Sequence, residues 1–161
     1  MAQEKTPKWS ADASSGFELG TDGPRVVLAG VDGTDASWRA VSYAAGLARR
    51  QHALLAIVYV QPFMAMQSAY GADVQGVTAE MADDIARTIT EQSERLKHVY
   101  SIRWKFLTRR GDPYTGLSEA ADELKADAVI VGASEKAGHR LIGSVAVRLV
   151  KAGRWPVTVV P

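Results

Sequence analysis

From residue 25 onward, apolar positions along this chain follow two alternating patterns. Short runs such as VVLAGV and LLAIVYV are apolar at successive positions, whereas the longer segments between such runs carry apolar residues three and four positions apart. The first pattern predicts strands that are buried on both faces, and the second predicts helices with one buried side. Strands and helices that alternate in this way indicate a parallel sheet covered by helices on both faces.

Five strands and four helices are predicted. The strands cover residues 26–31, 54–60, 102–107, 128–131 and 157–160, and the helices cover residues 36–50, 78–98, 114–125 and 144–152. The third strand, IRWKFL, alternates apolar with charged residues, so it should lie toward an edge of the sheet with one face in water. Residues 1–24 have no sustained period and end in Gly-Pro, so we expect a flexible N-terminal tail before a single domain over residues 25–161.

Composition and charge narrow the class of protein. A chain of 161 residues with 47% hydrophobic side chains suits one domain, and 19 basic against 18 acidic residues give no electrostatic reason to expect a nucleic acid or a membrane as partner. The absence of cysteine excludes disulfides, thiol catalysis and thiolate metal sites. No apolar run approaches the roughly 18 residues of a membrane span, and the N-terminus lacks the apolar core of a signal peptide. We therefore expect a soluble, cytoplasmic protein.

Motifs for ordinary catalysis are missing from the sequence. His52 and His98 are predicted at helix ends, where a histidine complements the helix dipole, and neither they nor His139 have metal-ligand spacing. There is no GxSxG elbow and no GxGxxG after the first strand. The segment GHRLIGS has the glycine spacing of a phosphate-binding P-loop but lacks its lysine. No catalytic residue and no metal ligand can be named, so we do not expect an enzyme.

Polar residues and glycines follow two of the predicted strands. In an open parallel sheet, ligands bind beyond the carboxyl ends of the strands, where the winding direction reverses. Asp32, Gly33 and Thr34 close the first strand, and the Asp32 carboxylate could accept a hydrogen bond from an adenine amino group. Thr34 or Asp35 could instead cap the first helix. Gly132 closes the fourth strand, so the sequence predicts a small-ligand site between these two strand ends.

The fourth helix begins at a second candidate position. Gly143 and Ser144 precede it, and the unpaired N–H groups of a helix start favour an anion, although Ser144 could also be a plain cap. Several cations in nearby loops and strand ends could meet a phosphate, although such exposed side chains are usually only solvated. These cations are Lys136, His139, Arg140, Arg109 and Arg110.

Three segments together resemble a known family. VVLAGVDGTDAS, GDPYTGLSEAADELKADAVIVGAS and LIGSVAVRLVKAGRWPVTVV, in this order, are similar to universal stress proteins over residues 25–161. The resemblance implies a Rossmann-like α/β fold with five parallel strands in the order 3-2-1-4-5, whose switch point lies at Asp32 and Gly132. It also implies a homodimer that pairs the last strands, here through Val157 and Val159, and a role in stress or dormancy responses. Many members of the family bind ATP or another adenine nucleotide.

The loop after the fourth strand departs from the pattern of the ATP-binding members. Those members carry a glycine, two residues, a second glycine, nine residues and then Gly-Ser or Gly-Thr. Gly132 matches the first glycine, and Gly143 and Ser144 match the final pair, but Glu135 replaces the second glycine. Only seven residues separate Glu135 from Gly143, so the loop is two residues short. It thereby resembles the subclass that does not hold ATP.

Two principal hypotheses follow from the resemblance. The first is a dimeric interaction protein with weak or no ATP binding and unknown protein partners. The second is a sensor of an adenine nucleotide such as ATP, AMP or cyclic AMP, with the base near Asp32 and Val58. The candidate nucleotide-binding residues are Asp32, Gly33, Val58, Val131, Gly132, Gly143, Ser144 and Val145. A nucleotide-hydrolysing enzyme is a weaker third hypothesis.

Overall fold

The computed structural model describes residues 23–62, 74–133 and 144–161. These residues form five strands and four helices in strict alternation. The strands are β1 (Val26–Val31), β2 (Leu54–Gln61), β3 (Arg103–Arg110), β4 (Ala128–Gly132) and β5 (Val157–Val160). The helices are α1 (Asp35–Gln51), α2 (Val74–Leu96), α3 (Pro113–Leu124) and α4 (Ser144–Ala152). The predicted tail lies outside the described residues up to position 22.

All strand pairs are parallel, and the strand order is β3-β2-β1-β4-β5. The predicted fold class and strand order are therefore confirmed. The winding direction reverses between β1 and β4, because β2 and β3 extend the sheet on one side of β1 while β4 and β5 extend it on the other. The carboxyl ends of β1 and β4 thus diverge at a topological switch point.

Two hydrophobic cores lie on opposite faces of the sheet. Helices α1 and α2 cover one face, where the core includes Val27, Ala44 and Ile57. Helices α3 and α4 cover the other, where Leu28, Val58 and Leu149 are wholly buried. Strands β1 and β2 are buried on both faces because successive side chains point to opposite helix layers.

Strand β3 lies at an edge of the sheet, as its alternating pattern predicts. It extends three residues beyond the predicted end at position 107, because its register with β2 continues from Arg103 opposite Leu54 to Arg110 opposite Gln61. An edge strand exposes one face, so the polar residues 108–110 can continue the ladder without being buried. Helix α2 likewise begins four residues earlier than predicted, at Val74.

The ends of α1 and α3 are fixed by local capping. The Thr34 hydroxyl accepts a hydrogen bond from the Ser37 N–H at 3.2 Å, so Thr34 is the N-cap of α1, one of the two roles that the sequence left open for it. His52 ends α1 in a left-handed conformation with φ 54°, and its own N–H bonds back to the last turn. Asp112 caps α3 and Pro113 follows in its first turn. Within the described residues, no helix is both long and apolar enough to span a membrane.

Candidate functional site at the strand ends

The strand-end site is the region where β1 and β4 end, formed by residues 32–34 and by Gly132 and Ala133. The predicted residues Asp32, Gly33 and Gly132 all fall here. Parallel pairing of β1 with β4 brings these two ends to the same edge of the sheet. The position therefore agrees with the general location of ligand sites in open α/β sheets.

Asp32 is exposed, and one of its carboxylate oxygens is held by its own loop. Its Oδ1 atom accepts hydrogen bonds from the Thr34 N–H at 3.0 Å and from the Thr34 hydroxyl at 2.6 Å. The Asp32 N–H in turn donates to the Ser37 hydroxyl at 3.2 Å. Among the described residues, Oδ2 has no hydrogen-bond partner, so this oxygen remains available to a donor on a ligand.

Gly33 allows the chain to turn sharply between Asp32 and the helix. Its φ is +87°, a conformation that residues with a side chain rarely adopt. A Cβ atom at this position would lie 3.7 Å from the Met81 sulfur, so the loop approaches α2 closely. The turn therefore lets the chain pass from the end of β1 directly into the N-cap of α1.

Tyr59 is a neighbour of Asp32 that the sequence reasoning missed. It lies opposite Val31 in the β1–β2 register and is only 3% exposed. Burial raises the pKa of the Tyr59 phenol, and the negative charge of Asp32 raises it further. The phenol is therefore a neutral group within the electrostatic influence of the Asp32 carboxylate. The sequence signal was the single polar atom in the otherwise apolar run LLAIVYV.

Gly132 is required by packing as well as by its place in the motif. A Cβ atom on Gly132 would lie 2.5 Å from the Ala36 carbonyl carbon and 2.7 Å from the Ser37 nitrogen, both in the first turn of α1. Backbone atoms of a capped helix cannot move aside easily, so no side chain fits here. The end of β4 is thereby held directly against the start of α1.

The candidate valines are placed differently from Asp32. Val58 is wholly buried and Val131 is 6% exposed, and both side chains belong to the core beneath α3 and α4. Val145 is half-buried against the same core. For Val58 and Val131, the backbone is what remains for contact with a ligand.

Four of the other predicted phosphate contacts lie outside the described residues: Gly143, Lys136, His139 and Arg140. Ser144 is described and is the first residue of α4. Arg109 and Arg110 end β3, which is two strands away from β1 or roughly 10 Å across the sheet. Arg109 forms an ion pair with Glu123, and Arg110 bonds the Gln61 side chain at 3.3 Å. The strand order thus separates these two arginines from the strand-end site.

Within the part of the chain that the structure describes, no group of three His, Asp or Glu side chains could hold a metal ion.

Among the described residues, β5 forms the edge of the sheet opposite β3. The Val129 N–H donates to the Pro156 carbonyl, and the Ala133 N–H donates to the Val160 carbonyl at 2.7 Å. Because bonding positions alternate along a strand, residues 156, 158 and 160 face β4, whereas Val157 and Val159 direct their backbone groups away from it. Both valines are half-buried by α3 and α4. A further parallel or antiparallel strand could therefore pair here without disturbing β4.

Comparison with known proteins identifies the family. The family model described as "Universal stress protein family" matches residues 24–161. This chain belongs to the universal stress protein family. Among curated proteins, it is 25% identical over 134 residues to universal stress protein MJ0531 of Methanocaldococcus jannaschii, covering 80% of this chain and 77% of that one.

Solved structures of universal stress proteins share the fold. A universal stress protein in complex with cAMP is 29% identical, with a TM-score of 0.66, and the match covers 86% of this chain and 97% of the other. UspA from Lactobacillus plantarum is 25% identical with a TM-score of 0.65, over 84% of this chain and 97% of that protein. These similarities agree with the strand order and with the switch point between β1 and β4.

Proposed function

We propose that this universal stress protein binds an adenine nucleotide with a single phosphate, cyclic AMP or AMP, at the strand-end site. The observation that carries the proposal is the Asp32 carboxylate, which is exposed at the switch point with Oδ1 held by Thr34 and Oδ2 available. The related protein in complex with cAMP, at 29% identity, supports this ligand class.

Each end of the proposed ligand meets a group of matching chemistry. The exposed Oδ2 atom of Asp32 is an acceptor for the adenine amino group or for a ribose hydroxyl. Ser144 begins α4, whose first N–H groups and dipole favour a phosphate. Gly132 has no side chain and lies directly against the first turn of α1, so the end of β4 adds no side chain at this position.

ATP fits this site less well than a monophosphate. Glu135 places a carboxylate where the ATP-binding members have a glycine, and the loop is two residues shorter than theirs. A carboxylate repels the charge of a triphosphate, and a shorter loop encloses less volume. We therefore propose that ATP binds weakly or not at all.

Calorimetric titration with cyclic AMP, AMP and ATP with magnesium tests the proposal. We expect cyclic AMP or AMP to bind more tightly than ATP, and a ligand at 100 times its dissociation constant to stabilise the fold by about 2.7 kcal/mol. Asp32→Asn keeps an acceptor for Thr34 but removes the charge, and should weaken binding about tenfold or more because hydrogen bonds to charged groups are worth about 1.5–3 kcal/mol.

Asp35→Asn is the matched control, because it removes a neighbouring charge from the first turn of α1 without altering the Asp32 carboxylate. It should change the affinity by less than about threefold, the effect of a screened surface charge. Tighter binding of ATP than of either monophosphate, or an Asp32→Asn variant with unchanged affinity, would contradict the proposed site.

We further infer that the protein acts as a homodimer, paired through β5, that engages other macromolecules in the stress response. The outward backbone groups of Val157 and Val159 support this inference, since an unpaired strand edge favours pairing with another chain. Val159→Pro removes an outward N–H and leaves the β4–β5 bonds intact, so light scattering should find a monomer. A dimer that persists in this variant would reject the interface.

A further inference from the structure

A second cavity lies between α1 and α2 and above the first halves of β2 and β3. We call it the α1–α2 groove; its volume is about 390 Å³, within the range of small-molecule sites. One wall includes Trp38 and Val41, the opposite wall includes Ile89 and Leu96, and Trp104 forms part of the floor. Leu96 is 36% exposed although it is a large apolar side chain, so apolar surface remains uncovered here.

Three of the hydroxyl groups that line the groove, those of Ser42, Thr88 and Ser93, have hydrogen-bond partners. Ser42 donates to the Trp38 carbonyl at 3.0 Å, and Thr88 donates to the Asp84 carbonyl at 2.9 Å. The Ser93 hydroxyl accepts a hydrogen bond from the Trp104 indole N–H at 2.9 Å. Apart from the indoles, the remaining polar side chains of the lining are Gln92, Tyr100 and Arg49. The other lining residues are apolar, which favours an occupant with an apolar body.

Arg49 is the charged residue among those lining the groove. Its guanidinium lies 5.1 Å from the centre of the Tyr100 ring. No carboxylate among the described residues forms an ion pair with it. Five N–H donors at one end of an apolar groove match a single carboxylate on the occupant.

A peptide suits the groove less well than an aliphatic chain. A helix is about 10–12 Å wide with its side chains, too large for this volume. An extended peptide would bury its own N–H and C=O groups against helix backbones and three hydroxyls that are already bonded. Such groups are costly to leave unpaired. An occupant without backbone amides avoids that cost.

We propose that the α1–α2 groove binds a medium-chain fatty acid, with its chain between the helices and its carboxylate at Arg49. The groove follows α1 from Trp38 to Arg49, eleven residues along the chain, which corresponds to about 16 Å of helix and to an extended chain of about twelve carbons. Two tryptophans, Trp38 and Trp104, line it and report occupancy through their fluorescence. This site is separate from the proposed nucleotide site.

The test is a titration of the full chain with dodecanoate, kept below its micelle concentration, followed by tryptophan fluorescence and calorimetry. We expect saturable one-to-one binding, with dodecan-1-ol at least about tenfold weaker because it lacks the charge that Arg49 pairs. Arg49→Gln should remove this preference for the acid. Arg50→Gln is the matched control, since Arg50 does not line the groove, and should keep the preference.

A second variant blocks the groove without disturbing the core. A Cβ atom on Gly46 would meet only the Nη1 atom of Arg50, at 3.3 Å, and Gly46 lines the groove. We therefore expect Gly46→Leu to extend into the groove and remain folded. This variant should bind dodecanoate at least about tenfold more weakly, while its affinity for cyclic AMP stays as in the unmodified chain. Three results would each overturn the proposal. The first is equal affinity for the acid and the alcohol, and the second is dodecanoate binding that survives Gly46→Leu. The third is association with phosphatidylglycerol vesicles without binding of dissolved dodecanoate.

Discussion

The two faces of the sheet are packed in contrasting ways. On the α3–α4 face, helix and strand approach so closely that a Cβ atom on Gly116 would lie 2.8 Å from a methyl group of Val60. On the α1–α2 face, a groove of about 390 Å³ separates the helices, and a Cβ atom on Gly46 would meet only the end of a flexible arginine. Both faces contribute a buried core, but only the α1–α2 face has room for a ligand between its two helices.

The largest expected difference between the faces comes from removing a leucine side chain. Leu149 in α4 is wholly buried, so Leu149→Ala should lower the free energy of unfolding by about 2–5 kcal/mol. Leu96 in α2 borders the groove and is 36% exposed, so Leu96→Ala should cost less than about 1 kcal/mol. Urea denaturation measures both. Equal losses in the two variants would show that the α1–α2 face is packed as tightly as the other.

A matched pair of glycines should respond in opposite directions. Gly116→Ala forces a methyl group against Val60, which should cost about 1–3 kcal/mol. Gly46→Ala adds a methyl group where there is space and gains helix propensity, which should stabilise the protein by about 0.5–1 kcal/mol. Thermal unfolding of both variants checks the signs. If Gly116→Ala stabilised the protein, or if Gly46→Ala destabilised it, the two faces would not differ in packing as described.

The smallest expected effect is a pH dependence of the free energy of unfolding, caused by Asp112 on the α3–α4 face. Arg148 donates to Asp112 at 2.8 Å and, with the Thr115 N–H, holds the pKa of the Asp112 carboxyl below its ordinary value. A lowered pKa in the folded state adds stability above about pH 4, and this contribution is lost as the pH falls through the folded pKa.

Asp112→Asn keeps an N-cap side chain but removes the charge, so it isolates this effect. Because the pair is exposed, the variant should be less stable than the unmodified chain by under about 1 kcal/mol near pH 7. The difference should vanish near pH 2. Thermal unfolding at both pH values measures it, and a difference that grows on acidification would refute the assigned cause.

Most of the fold was predictable from the sequence because each element carries a local signal. The runs VVLAGV and LLAIVYV are apolar at every position, as central strands must be, and IRWKFL alternates, as an edge strand does. The cap at Thr34 was one of two open interpretations. The extra residues of β3 depend on register with β2, which no local pattern of residues 108–110 expresses.

The site was predictable only in part, because its geometry depends on contacts between distant residues. Asp32 and Gly132 were found through their strand ends. The reason for Gly132, that a Cβ atom there would lie only 2.5 Å from the backbone of Ala36, requires the three-dimensional structure. Tyr59 was missed because it belongs to an apolar run and meets Asp32 only through the pairing of β1 with β2. The groove likewise arises from the spacing of two helices.

An amide NMR titration with cyclic AMP tests the central claim, a monophosphate nucleotide at the strand ends, most directly. We expect the amide signals of Gly33, Gly132 and Ala133 to shift at saturation while the indole signal of Trp104 in the groove stays in place. Cyclic AMP that leaves the glycine amides unmoved, or that shifts the Trp104 indole instead, would contradict this site.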